Sequence, residues 1–504
     1  MLTDYVEKIL KARVYDVAIE TPLDVMPRLS ERLANTLLLK REDLQPVFSF
    51  KLRGAYNRMQ HLTADERLKG VVAASAGNHA QGVALAAKKM GVSSLIVMPK
   101  TTPAIKVEAV KSFGADIKLH GNSYDEACSY ALDIAKQQGR TFIHPYDDPE
   151  VIAGQGTIAM EILRQHSGPI HSVFVPVGGG GLIAGVSAYI KAFWPEIKVI
   201  GVEPVDAACL KAALEQNERV VLEQVGLFAD GTAVRQIGEE PFRIARETVD
   251  EVITVDSDEL CAAIMDIFDD TRSIAEPSGA LAVAGAKKYI AREQLQDENI
   301  VVIDSGANIN FDRLRHVAER AELGERREVL FSTSIDEKPG SFQQFCQILG
   351  QRGITEFNYR YADNEQAHVF VGLRINGGDE ERATLFQSLN DAGYKWTDFS
   401  DNEMAKLHVR YMVGGHATQV NNEQLFRFEF PERPGALLRF LTRLGQRWNI
   451  SLFHYRNHGA AYGRVLIGVQ VMDDEQDEFQ GFLDALGYVY WQETDNPAYD
   501  LFLK

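Results

Sequence analysis

The chain has 504 residues, 45% of them hydrophobic and 25% charged, an ordinary globular composition that is too long for a single core. Its net charge of -18 repels phosphate backbones and anionic lipid, so small molecules are the expected partners, with no nucleic acid and no membrane. The four cysteines, Cys128, Cys209, Cys261 and Cys346, have neither metal-ligand spacing nor the density of a disulfide scaffold. No stretch has leader or membrane-spanning character, so a reducing, cytoplasmic setting is expected and no metal site is assigned.

The first informative stretch is "SFKLRGA" at 49–55, which reads as the start of a helix with Lys51 set between a phenylalanine and a leucine. Burial there would disfavour the ammonium form and leave a nucleophilic, basic amine. The plainer reading is a lysine stem lying along the surface with its charge in water. From about residue 35 onward, short apolar runs ("VVAAS", "SLIVMP", "SVFVPVGGG", "KVIGVEP", "NIVVIDSGAN") alternate with helical stretches. That alternation predicts an α/β fold with largely parallel sheet, whose ligands bind where strand ends meet helix starts.

Three stretches sit at such junctions. "SAGNHAQG" at 75–82 follows a strand and opens a helix, so its amides suit a carboxylate, and Asn78 can either cap the helix or reach a ligand. "VPVGGGGLIAG" at 175–185 places Gly178, Gly179, Gly180 and Gly181 between strand and helix, a phosphate cradle by construction. It also fits a dinucleotide fingerprint through Gly179, Gly181 and Ala184, with Glu203 about 20 residues on where a ribose-binding acid would sit. An NAD-dependent oxidoreductase therefore remains a competing reading. "DSGAN" at 304–308 ends a strand, where alternation sends Asp304 and Ser305 to opposite faces; a simple turn is the alternative.

The alternation stops at the charged stretch "ELGERRE" near residue 322, and a repeat follows. "FSTSIDEKPGSFQQFCQILGQRGITEFNYRYAD" from 331 and "FRFEFPERPGALLRFLTRLGQRWNISLFHYRNH" from 426 match Pro339 to Pro434, Leu349 to Leu444, Phe357 to Phe453 and Tyr359 to Tyr455. Gly372 stands opposite Gly468 in the later strands. Each copy reads as strand, helix, strand, strand, helix, strand, a ferredoxin-like unit. The expected domains are 1–322, 329–401 and 423–495. Neither repeat carries a catalytic constellation, so a ligand-sensing or dimerisation role is expected, and a non-enzymatic amino-acid sensor is a third reading of the whole chain.

Taken together, these motifs resemble the β-family (fold type II) of pyridoxal phosphate enzymes over roughly residues 1–320. With its two C-terminal ACT-like repeats, the chain resembles the biosynthetic threonine dehydratases of that family. The resemblance implies two open twisted α/β subdomains followed by two ACT-like α+β domains. It implies pyridoxal 5'-phosphate held covalently by Lys51, with Asn78 beside its hydroxyl, Gly178–Gly181 and Leu182 around its phosphate, and Ser305 at its ring nitrogen. Ser75, Ala76, Gly77, Asn78 and His79 would hold the substrate carboxylate, and Lys51 would take the Cα proton. Ala76 stands where racemising relatives carry an acid serine, which favours elimination. The implied reaction is loss of water from L-threonine to give 2-oxobutanoate and ammonia, in isoleucine biosynthesis, with serine dehydration as a close alternative. Inhibition by isoleucine, activation by valine and a homotetramer are also implied. The effector pocket is expected near Tyr359 and Tyr455.

Overall fold

The computed structural model describes residues 2–336, 338, 340–360, 366–407, 409–412, 414, 417, 420–431, 438, 440–442, 447–456, 462–497, 499 and 503. The chain divides into two compact units, Met1–Ala321 and Glu322–Lys504.

In the first unit, β1 (Leu23–Val25) and β2 (Thr36–Arg41) lead to helix α1 (Lys51–Gln60). Next come β3 (Val71–Ala74), α2 (Asn78–Met90), β4 (Ser94–Met98), β5 (Asp116–Leu119) and β6 (Thr141–Phe142). Helix α3 (Pro149–Gln165), β7 (Ser172–Pro176), α4 (Gly181–Phe193), β8 (Lys198–Pro204) and α5 (Cys209–Gln216) follow. β9 (Glu251–Val255), α6 (Pro277–Glu293) and β10 (Asn299–Asp304) complete the set that shapes the site. Two sheets result, one ordered β1-β2-β10-β7-β8-β9 and one ordered β5-β4-β3-β6. All pairings are parallel except β1 with β2. Strands β3 and β7 are buried along their whole length, as expected where helices cover both faces of a parallel sheet. The segments after β3, β7 and β10 are the three predicted junctions, so the fold class expected from the motifs is the one observed.

Helix α1 is held at unusually close range. A Cβ on Gly82 of α2 would lie 3.0 Å from the backbone N of Leu52, and one on Gly154 of α3 would lie 2.7 Å from both the Arg53 carbonyl O and the Gly54 Cα. Glycine at these crossings lets three helix backbones touch. Beneath them lies a buried ion network. The Arg53 guanidinium donates to both carboxylate oxygens of Glu42 at 2.8 Å each and to Glu161, and Glu161 also accepts from Lys40 Nζ at 2.6 Å. All four side chains are fully removed from solvent. Two cations balance two anions, and Thr21, Thr157, Tyr15 and Gln45 satisfy remaining donors and acceptors.

In the second unit, β11 (Glu328–Asp336), helix α7 (Ser341–Leu349), β12 (Ile354–Arg360), β13 (Gln366–Arg374), helix α8 (Gly378–Asp391) and β14 (Trp396–Asp398) form the first repeat. The second contributes β15 (Glu423–Pro431), β16 (Asn449–Arg456), β17 (Tyr462–Gln470), helix α9 (Gln476–Leu486) and β18 (Val489–Gln492). Pro339, Pro434 and Leu444 of the repeat alignment lie outside the described residues. The eight strands form one antiparallel sheet ordered β14-β11-β13-β12-β16-β17-β15-β18, so the second repeat runs in the reverse spatial order of the first. At the join, Phe357 pairs with Tyr455 and Tyr359 pairs with Phe453. Because Phe357 matches Phe453 and Tyr359 matches Tyr455 in sequence, this exchange of partners defines a local two-fold axis at the Asn358–His454 pair. Both repeats carry a bulge at the same place, between Ile354 and Glu356 and between Ile450 and Leu452.

The ion network generates a stability prediction. Arg53→Met leaves Glu42 and Glu161 buried with Lys40 as their remaining cation in the cluster, and should cost about 3–5 kcal/mol. Denaturant unfolding of the first unit, followed by tryptophan fluorescence or circular dichroism, should show the lowered midpoint; an unchanged midpoint contradicts the assignment.

Candidate active site

The chain delivers Lys51 to the cleft by pairing two of the sequence motifs. Phe50 N donates to Ser305 O at 3.2 Å, Ala307 N donates to Phe48 O at 2.9 Å, and Ser49 bridges Gly306. The "SFK" stretch thus lies antiparallel to "SGA". Phe48 turns the chain here with φ at 54°, a left-handed conformation that few phenylalanines adopt. Lys51 is the first residue of α1, so its ammonium form faces both desolvation and the positive end of the helix. Burial pulls its amine down to about 8, opposed by the field of Glu276. The Nζ lies 5.0 Å from the centre of the Phe50 ring. The surface-lysine reading is therefore replaced by a partly buried amine of which about a tenth is neutral at pH 7, far more than for an ordinary lysine.

The glycine run lies between β7 and α4. Gly180, at φ 90°, is the residue before the helix. A Cβ on Gly179 would come within 2.1 Å of the Tyr146 ring, one on Gly181 within 2.9 Å of the Tyr146 carbonyl O, and one on Gly178 within 2.9 Å of Thr232 Cα. Side chains cannot be accommodated here, and the bare backbone at the positive end of α4 suits a phosphate. Leu182, next along, buries its side chain in the core, so only its backbone is available to a ligand. The residues present fit the phosphate of pyridoxal phosphate. The dinucleotide alternative fares worse. The Glu203 carboxylate is buried and accepts from the backbone N–H groups of Leu210 and Lys211 at 2.8 and 2.9 Å, so it is occupied within the first turn of α5. Burial raises its pKa to about 7 despite these bonds.

The 75–79 loop follows β3. Ser75 Oγ accepts from Gly77 N at 3.2 Å, and a side chain at Gly77 would meet open space, so this stretch borders the cleft. Asn78 does not cap α2; it is the first helical residue, and Gly77 precedes it without a side-chain cap. Its Nδ2 donates to Glu276 Oε1 at 2.6 Å, and its Oδ1 accepts from Asn308 Nδ2 at 2.7 Å. His79 is buried, with Nε2 at 2.9 Å from the Ile143 carbonyl O. Burial, with the fields of Lys51 and His144, lowers it to about 3 and keeps the ring neutral, so it anchors the loop rather than carrying charge.

At the end of β10, Ser305 and Asp304 are both buried and differ in environment. Ser305 Oγ donates to Ser278 O at 3.3 Å. Asp304 accepts from Gly306 N at 3.2 Å while its other oxygen has no partner, and burial together with the Asp43 charge pushes its pKa well up. Two further residues of the cleft escaped the motif reading. Glu276, the residue before Pro277 at the start of α6, is 4% exposed and raised to about 7 by burial, then by Asp230. Asn308 completes its network. The signal for Glu276 was an acid directly before a Pro-Ser-Gly helix start. Asp230 in turn accepts from Lys106 at 2.6 Å and lies 3.4 Å from Arg313 Nη1.

In the second unit, Tyr359 and Tyr455 are 3% and 8% exposed and belong to the apolar core of the eight-stranded sheet, where the Tyr359 ring meets Phe342 at 5.5 Å. Among the described residues no His, Cys, Asp and Glu cluster could hold a metal ion, and no helix is long and apolar enough to cross a membrane.

Comparison with known proteins agrees with this geometry. Residues 14–306 match the pyridoxal-phosphate dependent enzyme family, and residues 319–409 and 414–503 each match the C-terminal regulatory domain of threonine dehydratase. A biosynthetic L-threonine dehydratase from Burkholderia multivorans is 57% identical over 504 residues, covering 99% of both chains. Its Escherichia coli counterpart is 56% identical, covering 99% of this chain and 97% of its own. Among solved structures, the processed threonine deaminase isoform 2 of Solanum lycopersicum is 51% identical, with a TM-score of 0.63 over 64% of this chain and 93% of that one. The chain belongs to the biosynthetic threonine dehydratases, pyridoxal-phosphate-dependent lyases of fold type II with a C-terminal regulatory region.

Proposed function

We propose that the protein removes water from L-threonine and releases 2-oxobutanoate and ammonia, as a homotetramer in the cytoplasm, inhibited by isoleucine and activated by valine. The observation that carries the reaction is the partly buried Lys51 amine, its pKa pulled down to about 8, next to the Ser305 segment and under the field of Glu276. When bound, pyridoxal phosphate supplies a conjugated, electron-withdrawing ring that delocalises charge from the substrate Cα. The backbone N–H groups of Gly178, Gly179, Gly180, Gly181 and Leu182 hold its phosphate, Asn78 meets its hydroxyl and Ser305 its ring nitrogen. Ser75, Ala76, Gly77 and Asn78 hold the substrate carboxylate, with His79 fixing the loop from behind. Lys51 takes the Cα proton on Nζ in its neutral form. Ser305 is a neutral hydroxyl and cannot enforce a protonated ring nitrogen as a carboxylate would, which favours departure of the β-hydroxyl over return of the proton. The Ala76 methyl offers no acid on the opposite face, which supports elimination over racemisation. Serine dehydration differs by one substrate methyl, worth about 1–3 kcal/mol in a pocket.

The proposed domains are 1–322 for catalysis and 329–401 and 423–495 for regulation, with the effector pocket beside Tyr359 and Tyr455. Shared strands across the local two-fold axis support a joint response of the two repeats. Effector coupling in such systems is typically about 1–3 kcal/mol, a shift of roughly 5- to 150-fold.

Three tests follow from these assignments. Borohydride treatment of the holoprotein should fix a pyridoxyl group on the peptide containing Lys51, and Lys51→Ala should abolish the label and lower threonine turnover by about 10²–10⁴-fold; undiminished turnover refutes the site. The neutral amine is the reactive form, so the rate at which apoprotein captures pyridoxal phosphate should climb about tenfold per pH unit below about 8 and level off above it; stopped-flow absorbance reads this, and a plateau reached only near 10.5 is the contrary result. A fragment ending at residue 321 should stay active and lose its isoleucine response, whereas retained inhibition places the effector site in the first unit.

A further inference from the structure

A polar relay in the cleft begins at a backbone carbonyl. Asn308 Nδ2 donates to Val47 O at 2.8 Å. A backbone carbonyl only accepts, so the end of the Asn308 amide that faces it is the NH₂ group. The second hydrogen of that NH₂ goes to Asn78 at 2.7 Å, so the facing end of Asn78 is its carbonyl oxygen. The other end of Asn78 is then NH₂, and it meets Glu276 Oε1 at 2.6 Å. Glu276 is itself pinned, since its backbone N donates to Gly306 O at 2.9 Å and its carboxylate accepts from the backbone N–H of Asn308. One Nδ2–H of Asn78 is left without a partner among the described residues.

Resting on the reading of this cleft as a pyridoxal phosphate site, we propose that Glu276 and Asn308 are positioning residues that set the rotation of the Asn78 amide, so that an N–H and not the carbonyl faces the ring hydroxyl oxygen of the cofactor. A donor aimed at that oxygen favours its ionised form, and a carbonyl aimed at it would repel the same charge. Glu276 and Asn308 reach the ligand only through Asn78 in this account. The three residues are 198 and 230 positions apart in sequence and are joined by the fold alone.

The test is a double-mutant cycle on cofactor affinity, measured by titrating resolved apoprotein with pyridoxal phosphate and following the visible band. Asn78→Ala and Glu276→Ala should each weaken binding about 10- to 100-fold and move the band in the same direction. The double variant should be no more than about threefold weaker than the weaker single one, because both changes remove the same interaction. Glu276→Gln, whose amide oxygen still accepts from Asn78, should recover most of the affinity. Should Glu276→Ala fail to fold, Asn308→Ala takes its place in the cycle. Effects that multiply in the double variant, or a Glu276→Gln variant as weak as Glu276→Ala, overturn the positioning role while leaving the site assignment intact. An unsubstituted apoprotein that develops no visible band overturns both.

Discussion

The geometry of the cleft depends on a buried charge arrangement two residues along from Lys51. Arg53 projects from the same helix as Lys51 and clamps Glu42, which follows β2, and Glu161 of α3. Removing four charges from water is costly, and the cost is offset only when every donor and acceptor finds a partner in one geometry. Small displacements of α1 would leave a buried carboxylate without its cation, so the network tolerates one register. The same constraint explains the glycines at 54, 82 and 154, since backbones in contact cannot accept a Cβ. The proposed role of Lys51, bonding the cofactor, would gain from such a mount.

Around that mount the cleft collects ionisable groups whose charged forms are penalised by burial. Lys51 is pulled down to about 8 and Glu276 is pushed up to about 7, so these two can exchange protons near neutrality, and burial pushes Asp304 up as well. Their roles differ by contact. Lys51 Nζ lies over the Phe50 ring, Glu276 is spent on Asn78, and Asp304 sits in the fields of the paired Arg41 and Asp43.

Much of this was legible in the sequence because local patterns carried it. The glycine run, the lysine flanked by apolar residues and the strand-end "DSGAN" are each contiguous, and matched aromatics revealed the repeat, though not that its two copies pair edge to edge. Glu276 and Asn308 were not legible as partners of Asn78, because Asn78 follows a strand of the four-stranded sheet, Asn308 follows a strand of the six-stranded sheet and Glu276 precedes a helix, so their meeting depends on how the two sheets face each other. Asn78 read equally well as a helix cap until its bonds to Glu276 and Asn308 were seen. Glu203 fitted a nucleotide fingerprint by spacing, yet spacing does not reveal that the following helix start already takes both its oxygens. Polar positions recur in the repeats too. Glu328 bonds Thr355 opposite Gly372, as Glu423 bonds Ser451 opposite Gly468, and the outer partners then diverge to Arg410 in one case and Tyr499 in the other.

The eight-stranded sheet terminates on β14 and β18, which are three and four residues long. Long unpaired margins invite further chains to add themselves by main-chain hydrogen bonding, the route to fibrils. By fusing two repeats at their inner strands and tapering both outer ones, the protein keeps a broad sheet while offering little template for runaway assembly.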